Sequence, residues 1–158
     1  MSRARGRYFE DFKEGEEFRT SGRSITETDI VNFCDFSGDF NPLHFDAEYA
    51  AAHHFGGRIA HGTCGFSMAL GLLTQLDLFE GTILAFAGIE NWRFTVPMMI
   101  GDTIHVIARV ARAKETRKPD RGIVAFYMDV RNQKDISVMS GEITTMMLRR
   151  KSKEGARR

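Results

Sequence analysis

Apolar residues alternate with polar ones along four stretches of the C-terminal half. Trp92, Phe94 and Val96 form one series. Ile104, Val106, Ala108 and Val110 form the next, and Val124, Phe126, Met128 and Val130 the third. The run "ISVMSGEITTMML" (136–148) makes the fourth, with Gly141 placed where a bulge would fall. A period of two is the mark of a half-buried strand. Turn signals at 96–101, 115–121 and 132–135 leave no room for helical crossovers, so an antiparallel meander is expected. "PMMIGDTI" (97–104) reads as its first hairpin, with Gly101-Asp102 at the turn.

The N-terminal half follows other periods. Residues 16–25 predict a first strand. Thr26 is an N-cap with Asp29 in the first turn, and Ile25 and Ile30 stand at the two positions of a hydrophobic staple. Ile30, Phe33 and Cys34 share the face of the helix that follows, and Gly38 stops it. Asp46 can cap a short helix containing Tyr49 to Ala52. "TCGFSMALGLLTQLDLF" (63–79) is apolar nearly all round and rich in small residues, which predicts a fully buried helix. The sum is an α+β fold: one strand, three helices, then four long strands wrapped around the buried helix.

Length and charge add boundaries. At 158 residues the chain suits one domain, 42% hydrophobic and 27% charged. The net charge of +1 is uneven. Arg3, Arg5 and Arg7 give +3, the run 149–158 gives +5, and residues 8–148 are left with −7. The expected organisation is therefore a single domain over 1–158, with a folded core at about 8–148 and basic, flexible tails at 1–7 and 149–158. A nucleic-acid domain would carry its basic face on the folded body, so nucleic acid is not an expected partner. No apolar stretch follows the basic N-terminus, and the most apolar segment is too short for a bilayer. The expectation is a cytoplasmic protein with no membrane role. Cys34 and Cys64 read as buried free thiols.

Several chemical motifs fail on spacing. "GRIAHGT" (57–63) lacks the phosphate-binding lysine, and "GFSMA" (65–69) lacks the last glycine of a nucleophile elbow. No two glycines stand one residue apart, so a dinucleotide fingerprint is absent. His44, His53, His54 and His61 crowd into eighteen residues, yet no HxxxH or cysteine pair accompanies them. Neither a metal nor a cofactor is expected.

One constellation survives. "SGDFNPLHFDAEYA" (37–50) sets Asp39, Asn41 and His44 within six residues, stiffened by Pro42. Asn-Pro is also an ordinary turn signal, so a loop braced by caps is the competing reading. His61-Gly62 adds to the functional case. At the start of the buried helix, the Gly62 amide would be one of the unpaired N–H groups that stabilise negative charge. An acid, a base and an oxyanion site are the parts needed to add water across an α,β-unsaturated carbonyl.

These blocks, with "GGRIAHGTCGFSMALGLL" (56–73) and "WRFTVPMMIGDTI" (92–104), resemble the MaoC-like dehydratases, the (R)-specific enoyl-CoA hydratase or hydratase 2 family, over roughly 12–148. The resemblance implies a hot-dog fold, an antiparallel sheet wrapped around a long helix. It implies that Asp39 and His44 are the catalytic pair, Asn41 their supporting amide and Gly62 the oxyanion amide. It further implies syn addition of water to a trans-2-enoyl-CoA, or to an acyl carrier protein thioester, giving the (R)-3-hydroxyacyl product. Family members work as paired hot-dog units, so a homodimer is expected, packed through the last strands and the buried helix. His61, Ser67, Phe40, Phe45 and Arg58 are the expected substrate-binding residues, with Arg93, Arg117, Lys118 and Arg131 as further partners for the phosphates of CoA. Two alternatives stand beside this reading. A hot-dog thioesterase would need an acid on the helix, where Asp77 is poorly placed. A non-catalytic subunit of a heteromeric dehydratase would not need Asp39, Asn41, His44 and Gly62.

Overall fold

The computed structural model describes residues 5–150. Positions 1–4 and 151–158, where half of the net tail charge falls, lie outside the described residues. The inner ends of both tails are tied to the body. Arg7 donates to Glu16 at 2.6 Å, and Arg149 and Arg150 reach Glu10, Glu115 and Asp11.

The first strand is broken in two, β1 (Glu17–Arg19) and β2 (Arg23–Ser24). Both pair with β4 (Thr103–Glu115), but the register slips by one residue between them. At the break the Thr20 hydroxyl, not a backbone carbonyl, accepts the Val106 amide at 2.9 Å. Helix α1 (Glu27–Ser37) begins as its sequence predicts. Thr26 accepts from the Asp29 amide, Asp29 accepts from the Thr26 amide, and Gly38 closes the helix at φ 75°. Ile25 and Ile30 are both buried. Thr26→Ala should cost about 1 kcal/mol, a fall of roughly 2–4 °C in melting temperature for a domain of this size. Thermal unfolding followed by circular dichroism measures it.

Two short helices follow, α2 (Pro42–Phe45) and α3 (Ala47–Ala52), then the central helix α4 (Gly62–Thr74). α4 is shorter than its apolar run. Asp77, at φ 53°, turns the chain, and Leu78 and Phe79 enter the core from a loop. Nor is α4 buried all round. Cys64, Met68, Ala69, Leu72 and Leu73 face the core, whereas Thr63, Ser67 and Thr74 remain exposed.

The long strands are β3 (Ile83–Phe94), β4, β5 (Arg121–Arg131) and β6 (Ser137–Leu148). The sheet is antiparallel in the order β1-β4-β5-β6-β3. This corrects the expected meander: β3 pairs with β6, and the 95–102 segment carries the chain across to β4. Gly101-Asp102 is a tight turn in that crossover, at φ 92° for Gly101, and not a hairpin tip. The bulge also moves. Four residues of β3, Glu90 to Arg93, span three of β6, and Asn91 takes φ 53° there. Gly141 lies opposite, where a Cβ would come within 2.7 Å of Trp92. The inward face of β4–β6 packs on α4, with Phe126 fully buried and edge-on to Phe12 and Phe79. This is the hot-dog architecture.

Candidate active site

Two overlapping side-chain turns build the loop after α1. Asp39 Oδ1 accepts from the Asn41 amide at 3.2 Å, and Asn41 Oδ1 accepts from the Leu43 amide at 3.0 Å. Each short polar side chain thus closes a turn two residues on. Asn41 becomes the N-cap of α2 with Pro42 at its first position, where a missing N–H is harmless. One turn of helix is enough to bring the His44 ring back toward Asp39. The turn reading and the functional reading therefore describe the same loop. The Asn41 side-chain oxygen is used as the cap, however, and Asn41 does not line the pocket beside Asp39 and His44.

His44 Nδ1 lies 2.8 Å from the Ile59 carbonyl. A carbonyl can only accept, so the imidazole proton sits on Nδ1 and Nε2 carries the free lone pair. The Ile59 amide in turn donates to the Leu43 carbonyl, and Ala60 N–H donates to Met98 at 2.8 Å. The 59–60 segment is thereby clamped between α2 and the crossover. Beneath His44 lies His61, 2% exposed, its ring stacked at 3.7 Å. His61 Nε2 donates to the backbone carbonyl of Asp39 at 3.0 Å. Burial pushes the His61 pKa below its ordinary value; the hydrogen bond to the Asp39 carbonyl opposes this and His44 adds to it, and the net shift favours the neutral ring. The Asp39 carboxylate, 3.8 Å from His61, is about half exposed and open to the pocket.

The pocket has a volume of about 430 Å³. Asp39, His44, His61, Gly62 and Thr63 line its polar end, and Phe55, Ile59, Phe94, Val96 and Met98 its apolar walls. Gly62 opens α4, and no side chain caps that end. The first amides of the helix therefore point outward without helical partners. The Phe94 ring crosses Gly62 so closely that a Cβ there would stand 2.8 Å from it.

Asp39, His44 and His61 offer donor atoms within 4.8 Å of one another. Ligands of one tetrahedral zinc sit about 3.4 Å apart, from metal–nitrogen distances near 2.1 Å. The rings lie 28° from parallel, and each is oriented by a hydrogen bond to a backbone carbonyl, which fixes the geometry that proton transfer needs.

Other expected binding residues fall elsewhere. Ser67 donates to the Thr63 carbonyl and lines a separate groove with Arg23, Phe33 and Phe36. Phe40 and Phe45 pack edge-on against each other, half exposed, outside the pocket lining. Arg58 is held by Glu27, and Arg131 by Asp129 and Asp135. The walls Phe55 and Met98 carried no separate signal in the sequence. Phe94 was legible as an inward strand position, but not as a neighbour of Gly62.

A model of the MaoC like domain matches residues 11–130. The chain belongs to this family. Among relatives of this MaoC-like domain, the protein MaoC of Klebsiella aerogenes is 40% identical over 115 residues, 73% of this chain but 33% of that longer protein. This chain thus spans about a third of it. The (R)-specific enoyl-CoA hydratase of Rhodospirillum rubrum is 34% identical over 89% of this chain and 91% of its own length. A solved structure described as a monoamine oxidase regulatory protein from Archaeoglobus fulgius superposes with a TM-score of 0.87 at 34% identity, over 92% of this chain and 97% of that one. Family members are hydratases and dehydratases. No helix among the described residues is long and apolar enough to cross a membrane.

Proposed function

We propose that this MaoC-like domain is a hydro-lyase that adds water to a trans-2-enoyl thioester of CoA or acyl carrier protein, giving the (R)-3-hydroxyacyl thioester, and catalyses the reverse. The observation that carries the reading is the His44 tautomer. With Nδ1–H anchored on Ile59, Nε2 is a base held beside the Asp39 carboxylate at the mouth of a pocket that ends on the α4 N-terminus. In hydration a water held by Asp39 and His44 forms a bond from its oxygen to the β-carbon and gives up a proton to the pair. The α-carbon receives a proton from the pair on the same face. The thioester oxygen, negative in between, lies at the Gly62 end of α4, where amides and the helix dipole favour it. All atoms of water end in the product, and no cofactor is required.

The test is ultraviolet loss of the enoyl conjugation of crotonyl-CoA, with a thiol reagent in parallel and chiral analysis of the product. Loss of conjugation without thiol, giving the (R)-alcohol, is the expected result. Thiol release would overturn it in favour of a thioesterase.

The reading includes a homodimer. β6 lies inside the sheet, so the last strands offer no free edge. The apolar edge is β3, where Leu84, Phe86, Ile89 and Phe94 are each 42–54% exposed. A long apolar edge strand left bare invites pairing with another chain, and a second copy supplies the matching edge. Ile89→Lys should halve the mass measured by sedimentation. An unchanged mass would remove β3 from the interface.

A further inference from the structure

His61 is only 2% exposed where it meets the pocket, yet it touches both halves of the acid–base pair. Its Nε2–H holds the main chain of Asp39, its ring lies flat beneath His44, and Phe33 packs on it at 4.9 Å. Its own backbone leads directly into Gly62. We infer that His61 is a positioning residue, which sets the separation of Asp39 and His44 and joins both to the start of α4 without itself touching substrate. The inference rests on the hydratase/dehydratase reading above.

Two observations speak against a merely space-filling role. The buried Nδ1 of His61 has no hydrogen-bond partner among the described protein atoms. With the proton on Nε2, that nitrogen is an acceptor left unpaired in the interior, which a filler chosen for stability would avoid. The stack is also specific: interplanar angle 28°, on the face of the catalytic ring opposite neither solvent nor a mere aliphatic wall but a second imidazole. The titratable groups facing His61 are Asp39, His44 and Cys34, the last with its sulfur 3.9 Å from Nε2. A neutral His61 donates to the Asp39 carbonyl while placing no charge beneath His44. His44 is thus left free to take up and release a proton.

The experiment separates the two contacts. His61→Gln keeps an N–H donor for the Asp39 carbonyl and loses the ring. His61→Phe keeps the ring and loses the donor. His61→Leu loses both. On crotonyl-CoA, kcat per folded molecule should fall about tenfold in each single-contact variant and further in His61→Leu, with KM within about twofold of wild type. The acid limb of the pH–rate profile should stay in place for His61→Phe, because no charge has been removed. A rise in KM with kcat intact would make His61 a substrate contact, and unchanged kcat with a lower melting temperature would make it structural. Either overturns the inference. Nitrogen-15 NMR of the imidazoles gives a readout independent of turnover. Wild type should carry its protons on His44 Nδ1 and His61 Nε2, and His61→Leu should speed solvent exchange of the His44 Nδ1–H. If wild type were inactive on crotonyl-CoA, the hydratase reading would fall on its own, and unchanged His44 exchange in His61→Leu would still sink the positioning role.

Discussion

Asp39→Asn and His44→Ala should each lower kcat on crotonyl-CoA by about 10³-fold, within the 10²–10⁴ range usual for removing a positioned acid or base. The two substitutions differ in what they spare. Asparagine keeps an oxygen for the Asn41 amide, so the turn that Asp39 closes survives and only the proton chemistry is lost. Alanine at 44 frees the Ile59 carbonyl, at a cost of about 1 kcal/mol that leaves the fold intact. The double variant should be little worse than either single one, because the two groups act as one unit on one water. Near-normal rates in both single variants, with native circular dichroism, would mean that the site is elsewhere.

Gly62→Ala should lower kcat/KM by about 10²-fold, the scale set by an ångström of misplacement at a reacting centre. Alanine retains the N–H and suits the first turn of a helix, so neither donor nor helix is lost. The loss comes from space. The new Cβ would stand 2.8 Å from the Phe94 ring, and the ring or the thioester must give way. Adding Phe94→Ala tells these apart. Recovered activity would identify the displaced ring as the obstacle, and continued loss would identify the methyl group itself. A Gly62→Ala variant as active as wild type would mean that the thioester does not pass close to the Gly62 Cα.

The shape of the loop from Asp39 to His44 was readable in advance because it is made of short-range geometry. Hydrogen bonds two residues long and one turn of helix bring His44 back toward Asp39, and Pro42 and the N-cap preference of asparagine are enough to specify them. The Thr26 cap, the Ile25–Ile30 staple and the Gly38 stop are legible for the same reason. Ser67, Phe40, Phe45 and Arg58 lie outside the lining of the Asp39–His44 pocket, because nearness along the chain does not fix the direction of a side chain. Arg58 pairs with Glu27, thirty-one residues away.

Alternation fixed three of the long strands, β4, β5 and β6, because a strand half buried against one helix has to bury every second residue. The series Trp92, Phe94 and Val96 marked only the end of β3, whose burial does not alternate. Alternation could not fix the order of the strands. Which edge β3 joins depends on what covers the sheet, and placing β3 beside β6 leaves its apolar edge bare for a partner, an arrangement visible only in three dimensions. His61 belongs to the same class. In the sequence it is a histidine before a glycine. Folding buries it between Phe33 and His44 and turns its proton toward Asp39, because α1, α2 and the start of α4 meet at that point. Local preferences thus determined the helices, most of the strands and the loop from Asp39 to His44, whereas packing between distant segments decided strand order, pocket walls and the place of His61 beneath His44.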